Sequence, residues 1–130
     1  MTQDLPRPSD GELAILRVLW SRGPSTVREV HTELAKARDL GYTTVLKLMQ
    51  IMADKGLATR DASAMTHIYR AAQEEHPTQA FLVQDLIHRA FGGSAKDLMV
   101  RALESQAAAP EEWDEIQRLL DEARRKGGAS

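Results

Sequence analysis

The sequence contains no cysteine, and this absence excludes several kinds of site. Disulfide bridges, zinc-finger ligand sets and thiol-based redox or copper sensing all depend on cysteine. The four histidines (His31, His67, His76 and His88) do not fall at a metal-ligand spacing with any acidic residue on one face. The sequence therefore predicts no metal site and no cofactor.

Aromatic residues, long apolar runs and catalytic motifs are also scarce or missing. Aromatic residues make up 5% of the chain, so stacking on single-stranded bases is not the expected binding mode. No apolar run approaches the ~18 residues of a membrane span, and the N-terminal segment has no hydrophobic signal core. Neither a glycine-rich nucleotide loop nor a nucleophile elbow occurs. We therefore expect a cytoplasmic protein that does not insert into a membrane and is not an enzyme.

The net charge is only −2, but the charges are unevenly distributed. Residues 36–70 carry six basic and three acidic side chains, which gives a local balance of +3. From residue 76 to the end there are seven basic and nine acidic side chains, a balance of −2. A positive region in an otherwise acidic chain indicates where a nucleic-acid partner would bind.

Residues 25–69 carry the pattern of a winged helix, which is a helix, a turn, a second helix and a β-hairpin. The helices are predicted to begin at Ser25 and at about Thr43, with the turn at residues 39–41. Two short strands are predicted over residues 57–61 and 66–71, around a polar tip at Ser63-Ala64-Met65. A further helix precedes this pattern, because Ser9 or Asp10 can cap a helix before an apolar stripe, and Glu12, three residues after Ser9, completes a capping-box pattern.

The predicted helix over residues 43–55 has two different sides. Its apolar residues recur at i, i+3, i+4 and i+7, which places Val45, Leu48, Met49 and Met52 on one face. Its polar residues lie largely off that face: Thr43, Thr44, Lys47, Gln50 and Asp54. In a DNA major groove, hydroxyl, ammonium and amide groups contact base edges and phosphates. The pattern predicts a helix that is fixed to a core on one side and reads DNA with the other.

We predict DNA contacts from this helix, from the start of the helix before it and from the hairpin: Thr26, Arg28, Thr43, Thr44, Lys47, Gln50, Arg60 and His67. Alternatives remain open for several of them. Either threonine of the Thr43-Thr44 pair can cap the helix instead. Lys47, Arg60 and His67 can be ordinary surface residues.

Three more helices are predicted over about residues 77–90, 94–105 and from 110 onward, with broad apolar stripes. About 50 residues cannot easily bury such stripes alone, so a second copy of the chain is expected to cover them. The predicted dimer contacts are Leu82, Leu86, Ile87, Phe91, Leu98, Met99, Leu103, Ile116 and Leu120. The alternative is a monomer in which these helices fold back on the winged domain.

The predicted fold is mainly α with a small β-hairpin wing. It comprises a winged helix-turn-helix DNA-binding domain over residues 1–75 and a helical dimerisation domain over residues 76–130.

An ordered set of short segments resembles one family across nearly the whole chain. The segments are Glu12-Leu13-Ala14-Ile15-Leu16 with Leu19-Trp20, Ser25-Thr26-Val27, Tyr42-Thr43-Thr44-Val45, Lys55-Gly56-Leu57, Tyr69, Phe91-Gly92-Gly93 and Lys96-Asp97-Leu98. Together they resemble the penicillinase-repressor (BlaI/MecI-like) transcriptional regulators. The resemblance implies a homodimeric repressor that binds a dyad-symmetric operator with its winged domain and dimerises through its C-terminal helices.

The resemblance also implies how repression is lifted. In that family the repressor is typically cleaved within its dimerisation helices, under the control of a membrane sensor metalloprotease. The matching region is Leu98–Leu103, and this chain has Arg101-Ala102 where the best-known members have Asn-Phe. Family reading helices often carry an arginine where Ile51 stands, so phosphate anchoring is expected to rely on Lys47, Arg60 and the helix N-termini.

Two other functions stay open at this point. One is a winged-helix protein-interaction module without DNA binding, which the near-neutral charge and Ile51 favour. The other is a one-component regulator that binds a small effector between the winged domain and the dimer helices.

Overall fold

The computed structural model describes residues 6–63, 65–105 and 108–128; the predicted tip residue Ala64 therefore lies outside the described residues. Along the described chain the elements are α1 Asp10–Arg22, α2 Val27–Leu34, α3 Tyr42–Lys55, β1 Ala58–Asp61, β2 Ile68–Ala71, α4 Glu75–Ala90, α5 Ala95–Glu104 and α6 Pro110–Gly128. The predicted fold class, mainly α with a small β wing, is confirmed. No helix in these described stretches is long and apolar enough to cross a membrane.

The helix starts follow from side-chain caps. At α1 the cap is Ser9, whose hydroxyl accepts from the Glu12 backbone N–H, while the Glu12 carboxylate accepts from the Ser9 N–H at 2.9 Å. The prediction that the next helix begins at Ser25 is wrong by two residues. Thr26 forms its own capping box with Glu29, and α2 begins at Val27.

Ser25 is instead a short extension of the wing. Its N–H donates to the Tyr69 carbonyl at 2.9 Å, and the Tyr69 N–H donates back to the Ser25 carbonyl at 2.8 Å. Both residues are buried, so this pair of backbone hydrogen bonds ties the hairpin to the chain that leads into α2.

The wing is an antiparallel hairpin in which Arg60 stands opposite Tyr69, and Ala58 opposite Ala71. Directly opposed residues point to the same side of a sheet, so these four share the side that carries the buried Tyr69 and Ala58. α3 leads into this hairpin through Gly56, which ends the helix in the left-handed conformation (φ 86°), as predicted.

The core lies between the first three helices and the wing. Its buried members are Ile15, Leu16, Leu19, Val27, Val30, Leu34, Val45, Met49, Met52, Leu57, Ala58 and Tyr69. The Trp20 indole N–H donates to the Gln73 carbonyl at 2.9 Å, which ties α1 to the segment after the wing.

The chain divides into two compact units: a winged unit that ends at Gln84 and a second unit that begins at Asp85. This division lies inside α4, which begins at Glu75 and contains Pro77 in its first turn. The functional assignment of residues 1–75 and 76–130 stays a prediction. In the second unit, Gly92 and Gly93 have positive φ and separate α4 from α5, and Ser94 caps α5 as predicted.

Candidate nucleic-acid interface

One side of α3 packs into the core, and the opposite side is exposed. Val45, Met49 and Met52 are 0% exposed, which fixes the rotation of the helix about its own axis. The opposite side presents Thr43, Thr44, Lys47 and Gln50, and all four are exposed. The structure therefore places the predicted reading residues of α3 together on one accessible surface.

The start of α3 differs from the predicted capping arrangement. The N-cap residue is Gly41, which makes no side-chain hydrogen bond to the helix. Because α3 begins at Tyr42, both Thr43 and Thr44 lie inside its first turn, and the alternative in which one of them is the cap is wrong. The first N–H groups of a helix attract anions when no side chain caps them, so this end suits a phosphate oxygen.

An aromatic ring connects the start of α3 to α2. The Arg28 guanidinium carbon lies 5.7 Å from the centroid of the Tyr42 ring, within cation–π range. The His31 ring meets the same tyrosine edge-on, with centroids 5.8 Å apart and an angle of 86°, and its Nε2 lies 3.0 Å from the Leu40 carbonyl oxygen. These contacts hold the turn between α2 and α3 and place an arginine side chain beside the reading helix.

The wing carries Arg60 on the same side as Tyr69, while Thr59 and Arg70 lie on the other side. At its tip, the Asp61 carboxylate accepts from the Ser63 hydroxyl at 2.7 Å and from the Ser63 N–H at 2.9 Å. These hydrogen bonds, the hydroxyl first, lower the pKa of Asp61 below its ordinary value. The exposed Asp61 and Ser63 are therefore held together where the chain leaves β1.

A groove of about 370 Å³ separates the start of α2, the flank of α3 and the wing. It brings together four of the eight predicted DNA-contact residues: Thr26, Arg28, Gln50 and His67. Thr43, Thr44 and Lys47 lie on α3, and Arg60 lies on the wing, outside this lining. The groove also contains Tyr42, Met65 and Thr66, which the sequence reading missed. The predicted helix begins at about Thr43, one residue after the observed start, and so leaves Tyr42 out. Tyr42 precedes Val45 by three positions and Met49 by seven, and this continuation of the apolar spacing was the available signal.

The net charge around residues 36–70 is less positive in the fold than a count along the sequence gives. Lys36 is paired with Glu33 at 2.9 Å, and Lys55 with Glu12 at 2.8 Å, and both acids lie outside residues 36–70. Including them reduces the balance of +3 by two, to +1. Among the described residues, no ion pair involves Arg28, Lys47 or Arg60. These three cations of the candidate interface are therefore available to an anionic partner.

The predicted dimer residues stay accessible in the single chain. Leu86, Met99, Leu103 and Leu120 are exposed, and Leu82, Ile87, Phe91, Leu98 and Ile116 are half-buried. Within residues 79–105 and 108–127 no residue is buried. The structure thus leaves apolar side chains of α4, α5 and α6 without full cover.

The predicted cleavage region lies inside a helix. Arg101 and Ala102 belong to α5, and the Arg101 carbonyl accepts from the Ser105 N–H at 3.0 Å. The Arg101 guanidinium also pairs with Glu104 at 2.9 Å. The peptide bond between Arg101 and Ala102 is therefore part of hydrogen-bonded helix rather than of a loop.

Comparisons with known proteins agree with the architecture. A family model described as penicillinase repressor matches residues 8–122. The transcriptional regulator BlaI of Mycobacterium tuberculosis is 36% identical over 120 residues, covering 91% of this chain and 86% of that protein. The penicillinase repressor of Bacillus licheniformis is 22% identical over 118 residues, covering 91% of this chain and 92% of that protein. These relatives are regulators rather than enzymes, as the sequence predicted.

A solved structure matches the fold of part of this chain. The solution structure of Bacillus licheniformis BlaI, a monomeric form in complex with the blaP half-operator, superposes with a TM-score of 0.50 at 23% identity. The match covers 57% of this chain and 90% of that chain. At this identity the similarity concerns the fold.

Proposed function

Since this chain belongs to the penicillinase repressor family of transcriptional regulators, we propose that it is a homodimeric repressor that binds a dyad-symmetric DNA operator in the cytoplasm. The observation that carries the proposal is the geometry of α3. Its buried side is locked into the core, so that Thr44 and Lys47 are presented on a rigid element. Such a helix is suited to the major groove, which admits an α-helix.

The predicted contact residues divide by chemistry. Thr44, Lys47 and Gln50 project from α3 and supply sequence preference through base edges. The remaining residues set the register on the duplex through phosphate contacts: Thr26, Arg28, Thr43, Arg60 and His67. The groove between α2, α3 and the wing is where a DNA backbone would pass, since Arg28, held against Tyr42, and His67 both line it.

Dimerisation is supported by the exposed apolar side chains of the second unit. Leu103 and Leu120 are 53% and 46% exposed in the single chain, and a second copy would remove them from water. To bind both half-sites, the proposed dimer would hold its two α3 helices about one DNA turn, ~34 Å, apart. In this proposal residues 1–75 bind DNA and residues 76–130 form the dimer.

Release of the operator is proposed to follow an upstream signal, such as proteolysis by a membrane sensor metalloprotease or a protease downstream of it. The Arg101–Ala102 bond lies within α5, and proteases bind extended backbone. Cleavage there requires the end of α5 to unwind first. A cut in α5 would remove α6 from the dimer interface, and operator affinity would fall because the two winged units would no longer be linked.

The test is DNase footprinting with gel-shift titration on the DNA upstream of the chain's own gene, at 50 and 200 mM salt. A protected inverted repeat whose affinity falls steeply with salt is expected for a dimer that makes several phosphate contacts. A folded dimeric protein that protects no site at low salt would contradict the proposal.

A second candidate is a winged-helix module that binds a protein partner instead of DNA. It is favoured by the pairing of Lys36 and Lys55, which leaves the region around α3 close to neutral. The footprinting experiment decides between the two. The cavity lined by Leu16, Leu57 and Phe81 measures about 30 Å³, whereas ligand pockets measure about 300–1,000 Å³, so it does not support a small-effector site there.

A further inference from the structure

Three large apolar side chains are exposed in the described chain before α4: Tyr42, Ile51 and Met65. Single exposed apolar residues are common on protein surfaces. These three, however, all lie on the candidate interface, since Tyr42 and Met65 line the groove beside α3 and Ile51 lies on α3 itself. Tyr42 already contacts Arg28 and His31. Of the other two, only Ile51 lies on α3, the helix that carries the predicted base contacts.

Ile51 lies on the same stripe of α3 as the polar reading residues. It follows Thr44 by seven positions and Lys47 by four, so it lies within roughly 20° of Thr44 and 40° of Lys47 around the helix axis. It is 36% exposed, whereas Val45, Met49 and Met52 on the opposite side are 0% exposed. Ile51 is therefore an apolar group placed among hydrogen-bonding groups on the surface that would face base edges.

We propose that Ile51 reads the 5-methyl group of a thymine in the major groove, an inference that rests on the proposed DNA-binding function. An isoleucine side chain has no hydrogen-bonding group, so it gains from a base edge only by apolar contact. Thymine is the one base whose major-groove edge carries a methyl group. The contact removes both apolar groups from water and gives the operator a preference for an A·T pair at that position in each half-site.

Uracil substitution tests this contact because uracil lacks only the methyl group and keeps the base-pairing groups of thymine. The duplex is the footprinted operator or, if the upstream DNA shows none, one selected from random sequence. Each thymine is replaced singly by uracil, and the affinity of the full chain is measured by fluorescence anisotropy. At one thymine of each half-site, wild-type affinity is expected to fall about four-fold, the effect of one buried methyl group.

The matched variants are Ile51→Ser, which removes the apolar group, and Ile51→Val, which keeps a branched one. The uracil effect at that thymine should vanish in Ile51→Ser and persist in Ile51→Val. Met65→Ser, which alters another exposed apolar residue of the interface, should retain the full effect. Because serine and isoleucine have similar helix propensities and Ile51 is exposed, we expect all three variants to fold, which unfolding midpoints would verify.

Two results would overturn the inference while leaving the proposed function intact. One is operator binding in which no thymine is sensitive to uracil. The other is an equal uracil effect in wild type and Ile51→Ser. That result would mean that another residue contacts the methyl group, or that the methyl group acts through the shape of the duplex. If the wild-type chain binds no duplex at all, the proposed function fails together with the inference.

Discussion

Lys47 stands near the middle of the exposed side of α3, between Thr44 and Gln50, with no ion pair in the described part of the chain. We expect Lys47→Ala to weaken operator binding by about 1–3 kcal/mol if the ammonium group contacts a base, and to relax preference at that position. If it contacts a phosphate instead, the loss should be uniform across sequences, and the salt slope should fall by about one. Titration at several salt concentrations separates the two outcomes.

Lys36→Ala is the matched control for this prediction. Lys36 is also an exposed lysine of the winged unit, but its charge is already paired with Glu33, and it lies just after α2 rather than on α3. Its loss should change operator affinity little. Equal affinities of wild type, Lys47→Ala and Thr44→Ala for the same operator would contradict the prediction that α3 reads the DNA.

Glu12 shows how one carboxylate connects two helices. It is 3% exposed, its oxygen accepts from Lys55 Nζ at 2.8 Å, and it completes the Ser9 capping box. Burial on its own raises the pKa of Glu12, but hydrogen bonds from Lys55 and Ser9, with the charge of Lys55, outweigh it and leave the pKa below its ordinary value. The folded state therefore favours the ionised form.

We expect Glu12→Gln to lower the free energy of unfolding by about 1–3 kcal/mol at pH 7, because the charge-assisted hydrogen bond to Lys55 is weakened. A carboxyl with a depressed pKa stabilises the fold fully above its unfolded pKa of about 4.3 and loses that contribution as pH falls through its folded pKa. The difference from wild type should therefore shrink below about pH 4. Urea unfolding at pH 7 and pH 3.5 measures it.

Glu33→Gln is the control, because Glu33 also pairs with a lysine but does so at the surface. Exposed pairs contribute about 0–1 kcal/mol, so this variant should differ little from wild type at either pH. A Glu12→Gln variant as stable as wild type at pH 7 would mean that the Lys55 contact contributes nothing.

Single residues were predictable where their environment is local in sequence. The buried side of α3 follows from apolar spacing, and Val45, Met49 and Met52 are buried as that spacing requires. The contact of Glu12 with Lys55 joins residues 43 positions apart, and no local pattern reports such a pair. The Arg28–Tyr42 contact likewise depends on how α2 and α3 cross.

Among the secondary-structure elements, the join between α3 and the wing depends on backbone conformation at Gly56. Its φ of 86° lies in the left-handed region, and a Cβ built there meets no atom within 4 Å. Gly56→Ala should therefore cost about 1–2 kcal/mol through backbone strain alone. Thermal or urea unfolding would detect this loss as a lower midpoint with an unchanged urea m-value.

Gly41→Ala is the control at the other end of α3. It also has open space around the position, but its φ of −75° is ordinary for any residue. The stability of this variant should stay within a few tenths of a kcal/mol of wild type, because alanine is a poorer N-cap than glycine but lowers the entropy of the unfolded chain by a similar amount. If both variants lost equal stability, conformation at Gly56 would not be the cause.

Element boundaries were predictable where a cap is visible in the sequence. The Ser9–Glu12 capping box and Ser94 predict the starts of α1 and α5, and Gly56 predicts the C-terminal end of α3, as the structure has them. The start of α2 was misplaced, because Ser25 and Thr26 are both good caps by type. What separates them is tertiary, since the backbone of Ser25 is already paired with Tyr69.

The chain combines a winged unit that has a buried core with a second unit in which none of the described residues is buried. The core residues end with Ala58 and Tyr69 of the wing, whereas the apolar side chains of α5 and α6 stay half-buried or exposed. Sequence patterning indicated both facts, since the stripes after residue 76 are too broad for so short a segment. In the proposed dimer a second copy covers those stripes, and such contacts between two chains leave no local pattern in one sequence.

Leu120 offers a test of the proposed dimer, because it is 46% exposed on α6 and lies among the predicted dimer contacts. Leu120→Lys would bring a charge from each copy into the apolar interface and remove two buried leucines, so the dimer dissociation constant should rise at least about a hundred-fold. Sedimentation equilibrium measures this change. Footprinting should then require far more protein, because each half-site must be filled by a separate monomer.

Gln117→Lys makes the same charge change on the same helix, at an exposed polar position four residues before Asp121. This variant should remain dimeric and protect the operator as wild type does, since it leaves the apolar stripe intact. Two variants with the same dissociation constant would place α6 outside the dimer contact. A dimer lost only in Leu120→Lys, together with weaker operator protection, would link the exposed stripe to DNA binding, because a dimer reads both half-sites at once.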